Sequence, residues 1–358
     1  MSVHEDLMTL ISDRKIRFAV IGCGRIAANH FAAIEKNADD AELVAVCDIA
    51  PDALEAAVTQ TGAQGFSSLG ALLSDAQPRP DIVVLTTPSG LHPQQAVEAA
   101  EAGFHVMTEK PMATRWKDGL RMLDACDRAG VRLFVAKQNR RNPTLQLLKK
   151  AVSEGRFGRI YSVAVNVFWS RPQAYYDSAA WRGTWEFDGG AFMNQASHYI
   201  DLLDWLIGPV ESVQAMTATL ERNIEVEDSG VMLIKWRSGA LGTVNVSMLT
   251  YPKNFEGSIT ILGEKGTVRV GGVAVNEVQH WLFDEPRPED EQIAQASYET
   301  TSVYGFGHPL YYRNVIDTFR GAAKPETAGR EGLRSLEILI AAYLSARDGK
   351  RVNLPLEY

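Results

Sequence analysis

From Lys15 onward, short runs of uninterrupted apolar residues alternate with stretches whose apolar positions recur every three to four residues. RFAVIGCG (17–24), ELVAVCD (42–48), DIVVLTTP (81–88), FHVMTEKP (104–111) and VRLFVAKQN (131–139) read as strands. ANHFAAIEKN, PDALEAAVTQTG, PQQAVEAAEAG and KDGLRMLDACDRAG read as the helices between them. Strands that are apolar throughout and separated by helices predict a parallel sheet covered on both faces.

After Arg140 the period changes. RIYSVAVNVFWS (159–170), VESVQAMTATLER (210–222), SGVMLIKWRSGALGTVNVSML (229–249, turning at Ser238-Gly239) and EGSITILGEKGTVRVGG (256–272) predict an antiparallel meander. Two helices, HPLYYRNVIDTFRG and EGLRSLEILIAAYLSARDG, precede a short VNLP strand. The chain therefore divides into an α/β domain over 1–138, with 1–14 as an extension, and an α+β domain over 139–358 with a largely antiparallel open sheet. One uncovered sheet face predicts a homo-oligomer, a dimer or tetramer, formed through that sheet.

With 358 residues, 46% hydrophobic and 22% charged, the chain is long enough for two globular cores without staples. A net charge of -8 argues against a nucleic-acid surface, so any anionic ligand must be held by a few local cations. Cys23, Cys47 and Cys126 lack a Cys-x-x-Cys spacing and read as reduced packing residues of a cytoplasmic protein, with no metal site expected. MSVHEDLMTLISDRK, with acids near its start and no sustained apolar core, is not expected to act as a signal peptide, and no apolar run reaches the ~18 residues of a membrane span.

GCGRIA lies between the first strand and its helix, where a dinucleotide fold needs glycines. Gly22 allows the turn, Gly24 lets the backbone approach a pyrophosphate, and the small Ala27 permits close helix packing. Arg25 and Ile26 complete the loop. Asp48 ends the second strand 24 residues after Gly24, placed for an adenosine ribose. No cation follows it for a 2′-phosphate, so NAD is expected rather than NADP. The first domain is thus a Rossmann dinucleotide-binding domain. Ligands of such sheets lie beyond the carboxyl ends of the strands, which nominates Thr87, Pro88, His92, Glu109, Lys110 and Gln138.

In the second domain, the helix after Gly189-Gly190 carries Asn194, His198, Asp201 and Trp205 in one narrow stripe at ~100° per residue. An amide, an imidazole, a carboxylate and an indole differ from the lysine and glutamate mixture of a solvated face. The segment before it holds Arg171, Tyr175, Tyr176, Trp181 and Arg182, and aromatics interleaved with arginines suit a sugar ring, a base and a phosphate. They also suit a subunit interface. His308 and Lys253 are weaker candidates.

The combination of GCGRIA, Asp48, TTPSGLH, TEKP and GGAFMNQASHYIDLLDW resembles the glucose-fructose oxidoreductase, inositol dehydrogenase and rhizopine catabolism family, from about Arg17 to Pro355. Within it, the stretch from KQNRRNP through the aromatic segment to WLIGP looks like dehydrogenases that oxidise the 3-hydroxyl of a UDP-linked N-acetylglucosaminuronic acid with NAD. Those enzymes work toward bacterial surface polysaccharide (O-antigen). The resemblance implies that Lys110 and His198 are the catalytic pair, with Asn194 where aspartate is frequent in the wider family. An amide holds a hydroxyl but carries no proton. The same likeness implies a UDP-sugar acid as substrate, bound by Arg171, Tyr175, Trp181, Arg182, Asn194, His198 and His308. Alternative readings are another sugar or inositol dehydrogenase, an NAD-dependent glycosidase, or a non-catalytic NAD and sugar sensor.

Overall fold

The structure, a computed structural model, describes residues 10–300, 303 and 305–356. The extension expected over 1–14 falls largely on residues 1–9, outside the described residues. The chain separates into two units, Met1–Lys137 with His308–Leu333, and Gln138–Gly307 with Arg334–Tyr358.

The first unit is built on six parallel strands, β1 (Ile16–Ile21), β2 (Ala41–Cys47), β3 (Gln64–Phe66), β4 (Ile82–Leu85), β5 (His105–Thr108) and β6 (Leu133–Val135). Their order is β3-β2-β1-β4-β5-β6, the doubly wound arrangement whose strand order reverses between the paired β1 and β4, with the ligand crevice expected at their carboxyl ends. Helices α1 (Ala27–Glu35), α2 (Pro51–Thr61), α3 (Leu69–Asp75), α4 (His92–Glu101) and α5 (Trp116–Ala129) connect the strands. β1 and β4 are buried nearly throughout, as apolar central strands require. Residues 308–333 belong to this unit, although the sequence boundary at 138/139 put them in the other. Tyr311, Tyr312, Val315, Ile316 and Phe319 bury themselves in the same core as Phe18, Val20 and Phe134.

The second unit holds α6 (Pro143–Ser153), α7 (Gln173–Asp177), α8 (Ser197–Ile207) and an eight-stranded sheet. Its strands are β7 (Ile160–Phe168), β8 (Val210–Ala218), β9 (Ser229–Trp236), β10 (Leu241–Ser247), β11 (Glu256–Gly263), β12 (Gly266–Gly271), β13 (Glu277–Phe283) and β14 (Val352–Asn353), in the order β13-β12-β11-β7-β10-β9-β8-β14. The β9–β10 hairpin turns at Gly239 as the sequence predicts, with φ of 89° there. The simple meander is not observed. β7 inserts between β11 and β10 and pairs with β10 in parallel, the one departure from antiparallel pairing in this sheet among the described residues. On β9, Val231 and Leu233 face outward while Met232 and Ile234 are buried, and Tyr161, Met216, Leu241 and Leu282 are also exposed. Two further helices, α9 (His308–Phe319) and α10 (Gly329–Asp348), complete the chain. No described helix is long and apolar enough to cross a membrane.

Candidate functional site

In the first unit, β1 ends in the glycine loop. Gly22 has φ of +93°, and a Cβ there would stand 2.9 Å from both the Thr87 backbone nitrogen and its Cγ2, so only glycine fits. A Cβ on Gly24 would meet nothing within 4 Å. The loop backbone at the start of α1 is therefore open, which is the cradle a pyrophosphate needs at a helix N-terminus. Arg25 is exposed beside it and Ile26 partly so. Asp48 Oδ2 accepts the Cys23 N–H at 2.7 Å and Oδ1 accepts the Ala50 N–H at 2.8 Å. Each oxygen keeps a lone pair for a ribose hydroxyl. Ile49, which follows, is 88% exposed and brings no positive charge. These features fit NAD on Gly22, Gly24 and Asp48.

Thr87, Pro88 and His92 line the segment after β4. Thr87 Oγ1 donates to Gln95 Oε1 at 2.6 Å, and the Thr86 hydroxyl donates to the Ile21 carbonyl at 3.0 Å. The fully buried His92 ring sits with Nε2 2.9 Å from the Thr87 carbonyl and Nδ1 3.1 Å from the Pro111 carbonyl. Burial lowers its pKa against the pull of those two carbonyls, and a neutral ring, with one N–H, donates to only one of them at a time. Lys110 is half-buried at that turn, and its peptide to Pro111 is cis.

Glu109, just before Lys110, is almost wholly buried. Its Oε2 accepts the Lys110 N–H at 3.0 Å, while Oε1 lies 3.1 Å from His30 Nε2 and 3.5 Å from His308 Nε2. Tyr312 Oη lies 2.7 Å from the other His30 nitrogen. Burial alone would raise the Glu109 pKa, but hydrogen bonds and charge from the two histidines outweigh it and hold the carboxyl well below its usual range. One ligand atom from each of His30, Glu109 and His308 falls within 4.8 Å of the others, a spacing a divalent cation could bridge. His308 thus stands against Glu109 in the first unit, a placement that its grouping with the sugar-binding loop did not convey.

In the second unit, the predicted helix after Gly190 begins as a π-helical turn, Ala191–Gln195, before α8. Such turns frequently accompany functional sites. Glu227 supports its start. The Glu227 carbonyl accepts the Ala191 N–H at 3.0 Å, Oε1 accepts the Phe192 N–H at 2.9 Å and the Tyr343 hydroxyl at 2.8 Å, and Tyr343 Oη accepts the Met193 N–H at 3.2 Å. These partners satisfy helix-start donors that have none within the helix. Gly190 is required here, because a Cβ would stand 1.7 Å from Glu227 Oε2. Burial pushes the Glu227 carboxyl up to about 7.

The stripe Asn194, His198, Asp201 and Trp205 is not a solvated face. His198 and Asp201 are buried, as are Tyr199, Ile200 and Leu203 opposite. Asp201 pairs bidentately with the buried Arg140, both bonds at 2.7 Å, which assigns that carboxylate to holding the helix. His198 Nε2 lies 3.2 Å from Gln138 Nε2, so an amide N–H directed there leaves the ring nitrogen as acceptor. Gln138, grouped from sequence with the cofactor crevice, is thus a neighbour of the imidazole. Asn194 donates an amide N–H to Asp188.

The aromatic segment assembles into a stack. The Arg182 guanidinium lies 4.4 Å from the ring centroids of both Tyr175 and Trp181 and donates to the Tyr175 hydroxyl at 2.7 Å. Arg171 lies 5.4 Å from the centroids of Tyr175 and Trp169. Stacking fixes both guanidiniums while leaving edges for an anion. A cleft of about 250 Å³ beside Arg182 is lined also by Asp177, Asn223 and Glu225. Sequence reasoning missed Asp188, Glu227 and Tyr343. The one available signal was Asp188 preceding the Gly-Gly step.

A dehydrogenase called WlbA from Chromobacterium violaceum, crystallised with NADH and UDP-GlcNAcA, is 71% identical and superposes with a TM-score of 0.94 over 99% of this chain and 100% of that one. The WlbA dehydrogenase of Bordetella pertussis, crystallised with the same two molecules, is 68% identical with a TM-score of 0.94, covering 97% and 100%. D-Apiose dehydrogenase of Paraburkholderia graminis is 27% identical, covering 97% of this chain and 92% of that protein. Residues 16–137 match the family model "Oxidoreductase family, NAD-binding Rossmann fold", and residues 149–354 match "Oxidoreductase family, C-terminal alpha/beta domain". The chain therefore belongs to the Gfo/Idh/MocA oxidoreductase family.

Proposed function

We propose that the protein oxidises the 3-hydroxyl of UDP-N-acetylglucosaminuronic acid to the 3-keto sugar, with NAD as its cofactor, in making precursors of bacterial surface polysaccharide. The observation that carries this reading is the 71% identity, over 99% of the chain, to a dehydrogenase that holds both NADH and UDP-GlcNAcA. Bound NAD supplies the hydride acceptor. Lys110 takes the hydroxyl proton as the carbonyl forms. A lysine partly withdrawn from water at the carboxyl end of β5 is the residue type suited to take that proton. His198, oriented by Gln138, shares or relays that proton, and Asn194 holds a sugar hydroxyl without carrying one. Arg171 and Arg182 neutralise the anionic groups, which an acidic protein must do locally. His92 and Glu109 keep the Thr87, Pro88 and Lys110 segments in place.

The apolar outer face of the second unit's sheet supports a homo-oligomer. Solution mass of the purified protein tests that part. For the reaction, the protein is incubated with NAD and UDP-sugars, UDP-sugar acids, free inositols and free pentoses, and product masses are recorded. A two-dalton loss on UDP-GlcNAcA, with the nucleotide still attached, supports the proposal. Cleavage at C1 points to a glycosidase, and turnover of a free polyol alone rejects the nucleotide sugar.

A further inference from the structure

Asp188 immediately precedes Gly189-Gly190 and is 1% exposed. Its Oδ2 accepts the Gly183 N–H at 2.7 Å, next to the stacked Arg182, and its own N–H reaches the Thr184 carbonyl at 3.2 Å. Its Oδ1 accepts the Asn194 side-chain N–H. One buried carboxylate therefore joins the arginine loop to the π-helical turn four residues before His198. The joint has a single polarity, because an ionised carboxylate only accepts and the amide nitrogen must donate. An asparagine elsewhere can rotate its amide by half a turn; this one cannot without placing oxygen against oxygen.

We propose that Asp188 is a positioning residue that locks Asn194 as a hydrogen-bond acceptor toward the substrate and couples that acceptor to the Arg182 loop. The inference rests on the proposed sugar oxidation for its consequence, since the hydroxyl that meets Asn194 Oδ1 must then donate. Asp188 touches neither substrate nor cofactor in this account. It acts through Asn194 and Gly183.

Three variants test it, Asp188→Asn, Asn194→Asp and the exchange Asp188→Asn/Asn194→Asp, each read by thermal unfolding of the ligand-free protein from pH 5 to pH 8 and by steady-state kinetics. Asn194→Asp places two carboxyls in hydrogen-bond contact, so they share one proton and one folded-state pKa rises above its unfolded value. Stability from that proton is fully present below the unfolded pKa, about 4, and is lost as pH rises through the folded one. The melting temperature of Asn194→Asp should therefore fall with rising pH relative to the parent, and the exchange, which again opposes an amide to a carboxylate, should abolish the fall. Asp188→Asn should raise KM for UDP-GlcNAcA about 10-fold with NAD affinity unchanged, and the exchange should recover most of it. A pH–stability profile of Asn194→Asp parallel to that of the parent overturns the pairing. An unchanged KM in Asp188→Asn overturns the positioning role. A parent protein inactive on the nucleotide sugar rejects the proposed function instead, and the unfolding profiles still decide the pairing.

Discussion

Asp48, at the end of β2, accepts the backbone N–H of Cys23 in the glycine loop at 2.7 Å, so the acid expected to meet the ribose also fixes the loop expected to meet the pyrophosphate. Asp48→Ala should weaken NAD binding by about 10-fold or more, because it removes ribose acceptors and loosens the loop together. The gap between NAD and NADP should narrow in the same variant. Calorimetric Kd values for both cofactors check this, and equal or tighter NADP binding by the unaltered protein contradicts the assignment.

Loss of the proton acceptor should slow chemistry more than binding. Lys110→Ala is expected to lower kcat by ~10²-fold or more, with KM for the nucleotide sugar little changed. His198→Ala should fall in the same direction, less severely if the ring relays or orients. Near-normal kcat in both variants would return these residues to structural roles.

Arg182 is held between Tyr175 and Trp181, and Arg171 lies against Tyr175. Neither is assigned to the reacting carbon. Arg182→Ala and Arg171→Ala should each raise KM for UDP-GlcNAcA by about 10-fold or more, with a smaller change in kcat. An equal fall in kcat at constant KM would place them in the transition state.

Glu227 supplies a pH dependence of known sign. Its folded pKa, about 7, lies above the ordinary 4.5, so the stability it contributes is complete below the ordinary value and is lost as pH rises through 7. Glu227→Gln keeps an oxygen for Phe192 and Tyr343 and cannot ionise. Its unfolding free energy, followed by thermal melting, should decline less than the parent's between pH 6 and pH 8.5, by an amount on the order of 1–3 kcal/mol. Parallel profiles would show that the carboxyl does not titrate there.

The first unit was legible because its strands are apolar runs between amphipathic helices: β4, β5 and β6 fall inside the segments read from sequence, and β1 and β2 start one residue before theirs. β3 and α3 were not read, since three strand residues and seven helical ones are too short for a period to declare itself. The parallel β7–β10 pair joins residues about 80 apart, and alternation along one strand says nothing of its neighbour's direction. The same limit hid Glu227, whose partners lie at Phe192 and Tyr343. The stripe Asn194, His198 and Asp201 was visible as a pattern. Its burial was not, because that depends on Arg140 arriving from another segment to neutralise Asp201. Lys110, in contrast, stood out at the end of an apolar strand.

The central claim is that hydride leaves C3 of the sugar in UDP-GlcNAcA, and substrate deuterated at that carbon tests it most directly. Incubated with the protein and NAD, the labelled sugar should give reduced cofactor one dalton heavier than the unlabelled reaction gives and a keto product that has lost the deuterium. Deuterium retained in the sugar, with cofactor reduced or not, would contradict the account.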